Sequence, residues 1–240
     1  VATTSLATAL ADLPIMRASS LASAARTPLQ TGSDVEGRYH RVVDGLTGLL
    51  GAGLRCGSSY LVEGSTSLSL AMAAGASQDG GWCAAVGMPQ LGVQSAAGLG
   101  IDLDRFAVVP DPGSHWLDVV ATLADAVDVV LLAPSAPAGD GDLRRLAARL
   151  RHRGCTLVVH GRRWSGAEAR LTVTDSQWVG VGSDGRGYLS ARHALVTLSG
   201  KGAPVTERLW LPAPDGGVRP VERTASAPAA PMPPSLRAVR

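Results

Sequence analysis

Between residues 58 and 161, short apolar runs alternate with helical patterns, and few architectures accommodate that order. SSYLVEG leads into STSLSLAMAAGA, GWCAAVG into QLGVQSAAGLG, RFAVVPD into HWLDVVATLADAV, and DVVLLAPS into GDLRRLAARLRHRG; CTLVVHG closes the series. The run at Val129–Leu132 has no polar alternation, as expected of a strand covered on both faces. The helical segments carry leucines three and four apart, as at Leu143, Leu146 and Leu150. Repeated strand–helix alternation predicts an α/β fold, a mostly parallel sheet flanked by crossover helices.

After Gly161 the pattern changes. EARLTVTDSQWVGV, GYLSARHALVTL and TERLWLPA read as strands separated by Gly and Asp turns, so the sheet is expected to gain an antiparallel extension. Upstream, VVDGLTGLLGAGL predicts a short helix closed by glycines. Residues 5–13 carry leucines at helical spacing, and Pro14 ends or kinks that helix. From Pro212 onward the chain is dominated by Pro, Ala, Gly and Arg, too poor in large apolar residues to pack as a domain. Three regions are therefore expected: an N-terminal helix and linker over 1–38, a core over 39–211, and a tail over 212–240.

Composition narrows the chemistry. A net charge of +2 does not by itself imply a nucleic-acid partner, and 4% aromatic residues leave little for base stacking. Lys201 is the only lysine, so any chemistry that needs an ammonium group has one candidate. Cys56, Cys83 and Cys155 are widely spaced and odd in number, which argues against a disulfide framework or a zinc site and for a reducing compartment. No run of 18 apolar residues occurs, so neither a signal peptide nor a membrane span is expected.

The turn between the first core strand and its helix reads Gly64-Ser65-Thr66, where a nucleotide-binding loop would read Gly-Lys-Thr. Such a loop needs backbone N–H groups turned inward by glycines, a lysine on the terminal phosphates, and a hydroxyl on magnesium. Here Ser65 replaces the lysine and Ser59 the first glycine, while Glu63 would repel phosphate. Thr66 is left as an expected helix N-cap. The strand DVVLLAPS ends on Ala133, Pro134 and Ser135 with no acid for magnesium, and GWCAAVG runs into Met88, Pro89 and Gln90 with no catalytic glutamate. The loop therefore reads as a degenerate remnant, with no catalytic residue, cofactor or metal expected.

The order VDGLTGLLGAGL, SYLVEGSTSLSLA, GIDLDRFAVVPD, DAVDVVLLAPSAP and CTLVVHG resembles the RecA recombinase core, and RHALVTLSGKGAPVTERLWL resembles its late strands. LADLPIMR resembles the end of the RecA N-terminal helix. The resemblance covers roughly residues 5–211. It departs at the missing lysine and acids, at the short linkers APSAPAGDG and RRWSGA, and at the proline-rich tail. A nucleotide-free RecA-like chain of this size resembles the ImuA family, in particular its actinobacterial ImuA-prime form. That resemblance implies a non-enzymatic adaptor in DNA-damage-induced, mutagenic translesion synthesis. Its expected partners are ImuB, an inactive Y-family polymerase homologue, and, directly or through it, an error-prone DnaE-type polymerase. A SulA-like inhibitor of cell division and a residual RecA-like ATPase are the alternatives. The resemblance also implies a cytoplasmic protein and a docking role for Leu6, Leu10, Ile15 and Met16, on another copy or on RecA.

Other candidates come from the residues themselves. Val218, Val221, Met232, Leu236 and Val239 are isolated apolar anchors in the tail, where prolines reduce the entropy lost on ordering. Arg144, Arg145, Arg149, Arg151 and Arg153 form a basic helix end: either a solvated face or, with Arg162 and Arg163, a phosphate-contacting patch. Trp164 either stacks on a base or partner side chain or covers the sheet edge. Direct DNA contact is left open by these residues.

Overall fold

The computed structural model describes residues 38–161, 163–181 and 186–221. The expected helix over 5–13 and the docking candidates Leu6, Leu10, Ile15 and Met16 lie outside the described residues, as do Arg162, Met232, Leu236 and Val239. In chain order the strands are β1 (Tyr39–His40), β2 (Leu54–Arg55), β3 (Ser59–Glu63), β4 (Cys83–Val86), β5 (Phe106–Val109), β6 (Val129–Leu132), β7 (Thr156–His160), β8 (Ala169–Val181), β9 (Gly187–Gly200), β10 (Val205–Trp210) and β11 (Arg219–Pro220). The helices are α1 (Thr47–Leu50), α2 (Thr66–Gln78), α3 (Val93–Gly98), α4 (Trp116–Leu123) and α5 (Asp140–Arg153). The strand and helix runs read from sequence between residues 42 and 211 all appear as elements.

One sheet of nine strands, in the order β11-β10-β9-β8-β3-β7-β6-β4-β5, organises the described residues. From β8 to β5 every neighbour is parallel. From β8 to β11 every neighbour is antiparallel. The fold is thus α/β, with a large, mostly parallel mixed sheet. A two-stranded ribbon, β1 with β2, lies apart from it.

Helices cover the two faces separately. Residues of α1, α2 and α3 share one apolar core with Tyr60, Val62, Leu131, Val158 and Leu171. Those of α4 and α5 share the other with Leu61, Val130, Leu132, Leu157 and Val159. Alternate residues of the same strands feed opposite cores, which is why these strands lack a polar face. Each fully buried Leu or Val contributes about 1.5–3 kcal/mol relative to exposure.

Helix α2 is buried further than its spacing suggests. Leu68, Ala71 and Met72 form the expected inner face, yet Leu70, Ala73, Ala74 and Ala76 are buried as well. The chain at Arg41–Val42 covers the face that carries Leu68, Ala71, Met72 and Gly75, and its backbone approaches Gly75 so closely that an added Cβ would meet Arg41 O at 2.3 Å. A helix apolar all round is one buried all round.

The C-terminal boundary differs from expectation. The sheet does not stop at residue 211: β11 pairs with β10, matching Leu209 with Pro220 and Trp210 with Arg219. Leu211 and Ala213 are buried, Val218 packs on the first core, and the Val221 N–H donates to Arg208 O at 2.8 Å. Composition obscured this because a two-residue outer strand needs few apolar residues and tolerates proline at the edge. Val218 and Val221 therefore belong to the folded body, and the tail of the sequence reading begins after them.

Candidate functional site

The parallel strands of a wound sheet end on one side, and the turn after β3 lies there beside the end of β7. Gly64 has φ +84°, a conformation that glycine adopts without a Cβ penalty. It turns the chain out of β3 against β8, where an added Cβ would lie 3.1 Å from Val173 O. Ser65 is extended and caps α2: its Oγ accepts the Leu68 N–H at 3.2 Å. The cap is thus Ser65 rather than Thr66, which is the first residue of the helix.

A residue far away in sequence completes the turn. Arg192, on β9, donates through Nη2 to Ser65 Oγ at 2.7 Å and through Nε to the Leu211 carbonyl at 3.0 Å. Its guanidinium also lies 5.4 Å from the ring centroid of Trp178. Half-buried, it is pushed down in pKa by desolvation, and guanidinium remains a cation regardless. Among the described residues no carboxylate bridges it. The Ser65 hydroxyl, where a phosphate loop carries lysine, is therefore engaged by a helix N–H and an arginine from the antiparallel extension.

The neighbouring polar groups are also occupied. Glu63 accepts from Thr172 Oγ1 at 3.4 Å and lies 3.8 Å from Arg170 Nε. At the end of β7, His160 Nδ1 lies 3.3 Å from Ser69 Oγ, and Ser69 is fully buried. The serine of this pair is thus closed to solvent, while the histidine is half-buried at the end of its strand. Burial lowers the His160 pKa. The folded state therefore binds fewer protons than the unfolded one, whose histidine titrates near ~6.5. This contribution to stability is present above the unfolded pKa and is lost as pH falls through the folded value. His160→Gln is expected to flatten the loss of Tm between about pH 7 and 5, measured against wild type in the same buffers.

At the end of β6, Ser135 Oγ donates to Gly113 O at 2.7 Å, and after β4 Met88 is buried. Among the described residues no group of three or more His, Cys, Asp or Glu is arranged to hold a metal ion.

The arginine cluster lies on the other side of the sheet. Arg149 pairs with Asp125, with Nε to Oδ1 at 2.9 Å, and Arg153 Nε reaches the same carboxylate at 3.1 Å. These hydrogen bonds, Arg149's first, hold the Asp125 carboxyl below its ordinary pKa. Arg145 pairs with Asp142 at 2.9 Å. Three of the five helix arginines thus face acids, while Arg144, Arg151 and the loop residue Arg163 are exposed. Trp164 is packed inward: its Nε1 donates to Ser59 Oγ at 3.1 Å, and its ring lies 6.4 Å from that of Trp116 in the second core. This is the sheet-covering alternative of the sequence reading. Because α2 and α5 cover opposite faces, the turn and the cluster do not form one site.

Two shallow clefts at the opposite end of the sheet were not visible in sequence. One, of about 340 Å³, is lined by Arg55, Cys56, Ser59, Arg151 and Glu168; its neighbour, of about 300 Å³, shares Arg55 and Glu168 and adds Tyr39, Tyr60 and Lys201. Lys201 itself pairs with Glu168 at 3.2 Å. Among the described residues no helix is long and apolar enough to cross a membrane.

Residues 48–166 match the family model of the MT3502 N-terminal domain. The chain is also similar to the uncharacterized protein Rv3395c of Mycobacterium tuberculosis (strain ATCC 25618 / H37Rv), 39% identical over 118 residues, which is 49% of this chain and 58% of that protein. The family match runs from α1 to the loop before β8. It includes the Gly64–Thr66 turn and stops short of the antiparallel extension that supplies Arg192.

Proposed function

We propose that this chain is a non-catalytic, RecA-like adaptor of the ImuA type. It acts in the cytoplasm with an ImuB-like inactive polymerase homologue and an error-prone DnaE-type polymerase during mutagenic translesion synthesis. The observation that carries the reading is the Ser65 turn. It joins a strand to a helix where the resemblance expects a phosphate loop, but residues 59–63 are strand rather than loop, a helix-capping hydroxyl stands in the lysine position, and Arg192 is bonded to that hydroxyl. A loop that retained its chemistry would hold its cation free for phosphate and its acids at the ends of β4 and β6. Here those strands lead to Met88 and Ala133. The order of elements, with β3 central and its helix buried on one face, supports a RecA-like ancestry for a scaffold that has lost this chemistry.

An adaptor works through surfaces. With Val218 and Val221 held in the body, the remaining anchors of the tail are Met232, Leu236 and Val239. The reading is tested by co-purification of the full chain with an ImuB-like partner, against a chain ending at Val221. Retention of the partner by the full chain alone supports adaptor binding through residues 222–240.

A further inference from the structure

Strand β8 outlasts its neighbour. It pairs with β3 only through Ala169–Thr172, whereas its pairing with β9 continues to Val181. Thr174–Val181 are all exposed, and on the β3 side no strand among the described residues meets them. The result is an arm whose far half presents an open row of backbone donors and acceptors. It is also where exposed apolar side chains gather: Trp178, Val179, Val181, Tyr188 and Leu189, with Tyr188 at 78%.

Natural sheets protect such edges with lysine, proline, unpaired charge or β-bulges, and only the stretch between bulges is left open to pairing. The segment Thr174–Val181 has neither lysine nor proline, and its one charge, Asp175, is held by Arg208 Nη2 at 2.8 Å. Register irregularities at Thr174/Ser176 and at Val179/Val181 bound a regular stretch, Ser176–Val179.

We propose that this stretch pairs antiparallel with the same stretch of a second copy, so that the two sheets continue into one across a two-fold axis. Charge selects the occupant. With Asp175 neutralised internally, the edge strand itself carries no free charge, so an identical strand meets no like charge along the paired stretch; the nearby Arg192, on β9, is held by Ser65 Oγ and the Leu211 carbonyl. Antiparallel self-pairing sets Gln177 opposite Trp178 of the second copy and brings both apolar arms together. It uses up both open edges and closes the assembly at two copies.

The test is the mass of the full chain by sedimentation across a concentration series, with hydrogen exchange at both ends of the series. Expected are a shift from 24.5 kDa toward twice that mass and, at high concentration, at least about tenfold slower exchange of amides in 176–179. Val179→Lys, a charge on an exposed edge, is expected to keep the circular dichroism and remove both effects, whereas Leu103→Lys, at an exposed position outside the arm, should change neither. A chain that stays monomeric at hundreds of micromolar (roughly, the upper range of weak strand pairing) overturns the proposal. So does a dimer whose 176–179 amides exchange as fast as in the monomer, because its interface must lie elsewhere.

Discussion

Gly75→Ala is expected to destabilise the protein by about 2 kcal/mol or more, although a glycine-to-alanine change inside a helix ordinarily stabilises by up to about 1 kcal/mol. Two effects compete. Alanine restricts the unfolded chain and favours the helix. Its Cβ, however, would lie 2.3 Å from Arg41 O and 2.6 Å from the carbonyl carbons of Arg41 and Val42. These are backbone atoms, so no rotamer relieves the clash; α2 or the incoming chain must move, and α2 is packed against the sheet on its other side. Packing therefore wins. Gly141, in α5, has nothing within 4 Å of its added Cβ, and Gly141→Ala is expected to be neutral or slightly stabilising. Urea denaturation of the two variants checks the pair. If Gly75→Ala is as stable as Gly141→Ala, the close approach of residues 41–42 to α2 is wrong.

That contact also marks where sequence reading stops. The apolar runs at Val129–Leu132 and Thr156–His160 were legible as doubly covered strands because burial on both faces leaves a local mark, the missing alternation. The covering of α2 left none, because its partner lies more than thirty residues upstream in a segment with no long apolar run. The candidate turn was half legible. The absence of lysine and acids can be read residue by residue. Arg192, 127 positions from Ser65, sits in a strand pattern that says nothing of where its side chain reaches. The same holds for Asp125, which neutralises two arginines that looked free along α5. Trp164 was left open between partner contact and sheet cover because a tryptophan between polar residues fits either, until Trp116 is placed beneath it.

Truncation at two nearby points is expected to give opposite results. Ending the chain at Val221 should leave circular dichroism and Tm unchanged and abolish co-purification with an ImuB-like partner, since it removes the anchors Met232, Leu236 and Val239 and none of the described residues. Ending it at Leu211 removes β11, the buried Ala213 and the packed Val218. It also uncovers Gly45, whose added Cβ would meet Val218 O at 2.4 Å, a measure of how tightly this segment lies on the body. The Arg192 N–H loses its acceptor, Pro212 O, at 2.9 Å. Loss of two apolar side chains, a strand pairing and the acceptor of the Arg192 N–H is expected to cost about 3 kcal/mol or more, a Tm fall of roughly 6–12 °C. A chain ending at Leu211 that melts like wild type would place 212–221 outside the domain. A chain ending at Val221 that still binds its partner would move the interface onto the body, with the exposed Arg144, Arg151 and Arg163 the next positions to change.

The absence of nucleotide chemistry at the Ser65 turn is the claim on which the adaptor reading stands. The most direct measurement is the thermal melting of the full chain with and without millimolar ATP and magnesium, because a ligand that binds the native state must raise Tm. With Ser65 capping α2 and bonded to Arg192, Tm is expected to be the same in both conditions. A magnesium-dependent rise of several degrees, on the order of what a ligand at 100 times its Kd produces, would contradict the account and make Arg192 the cation of a working phosphate site.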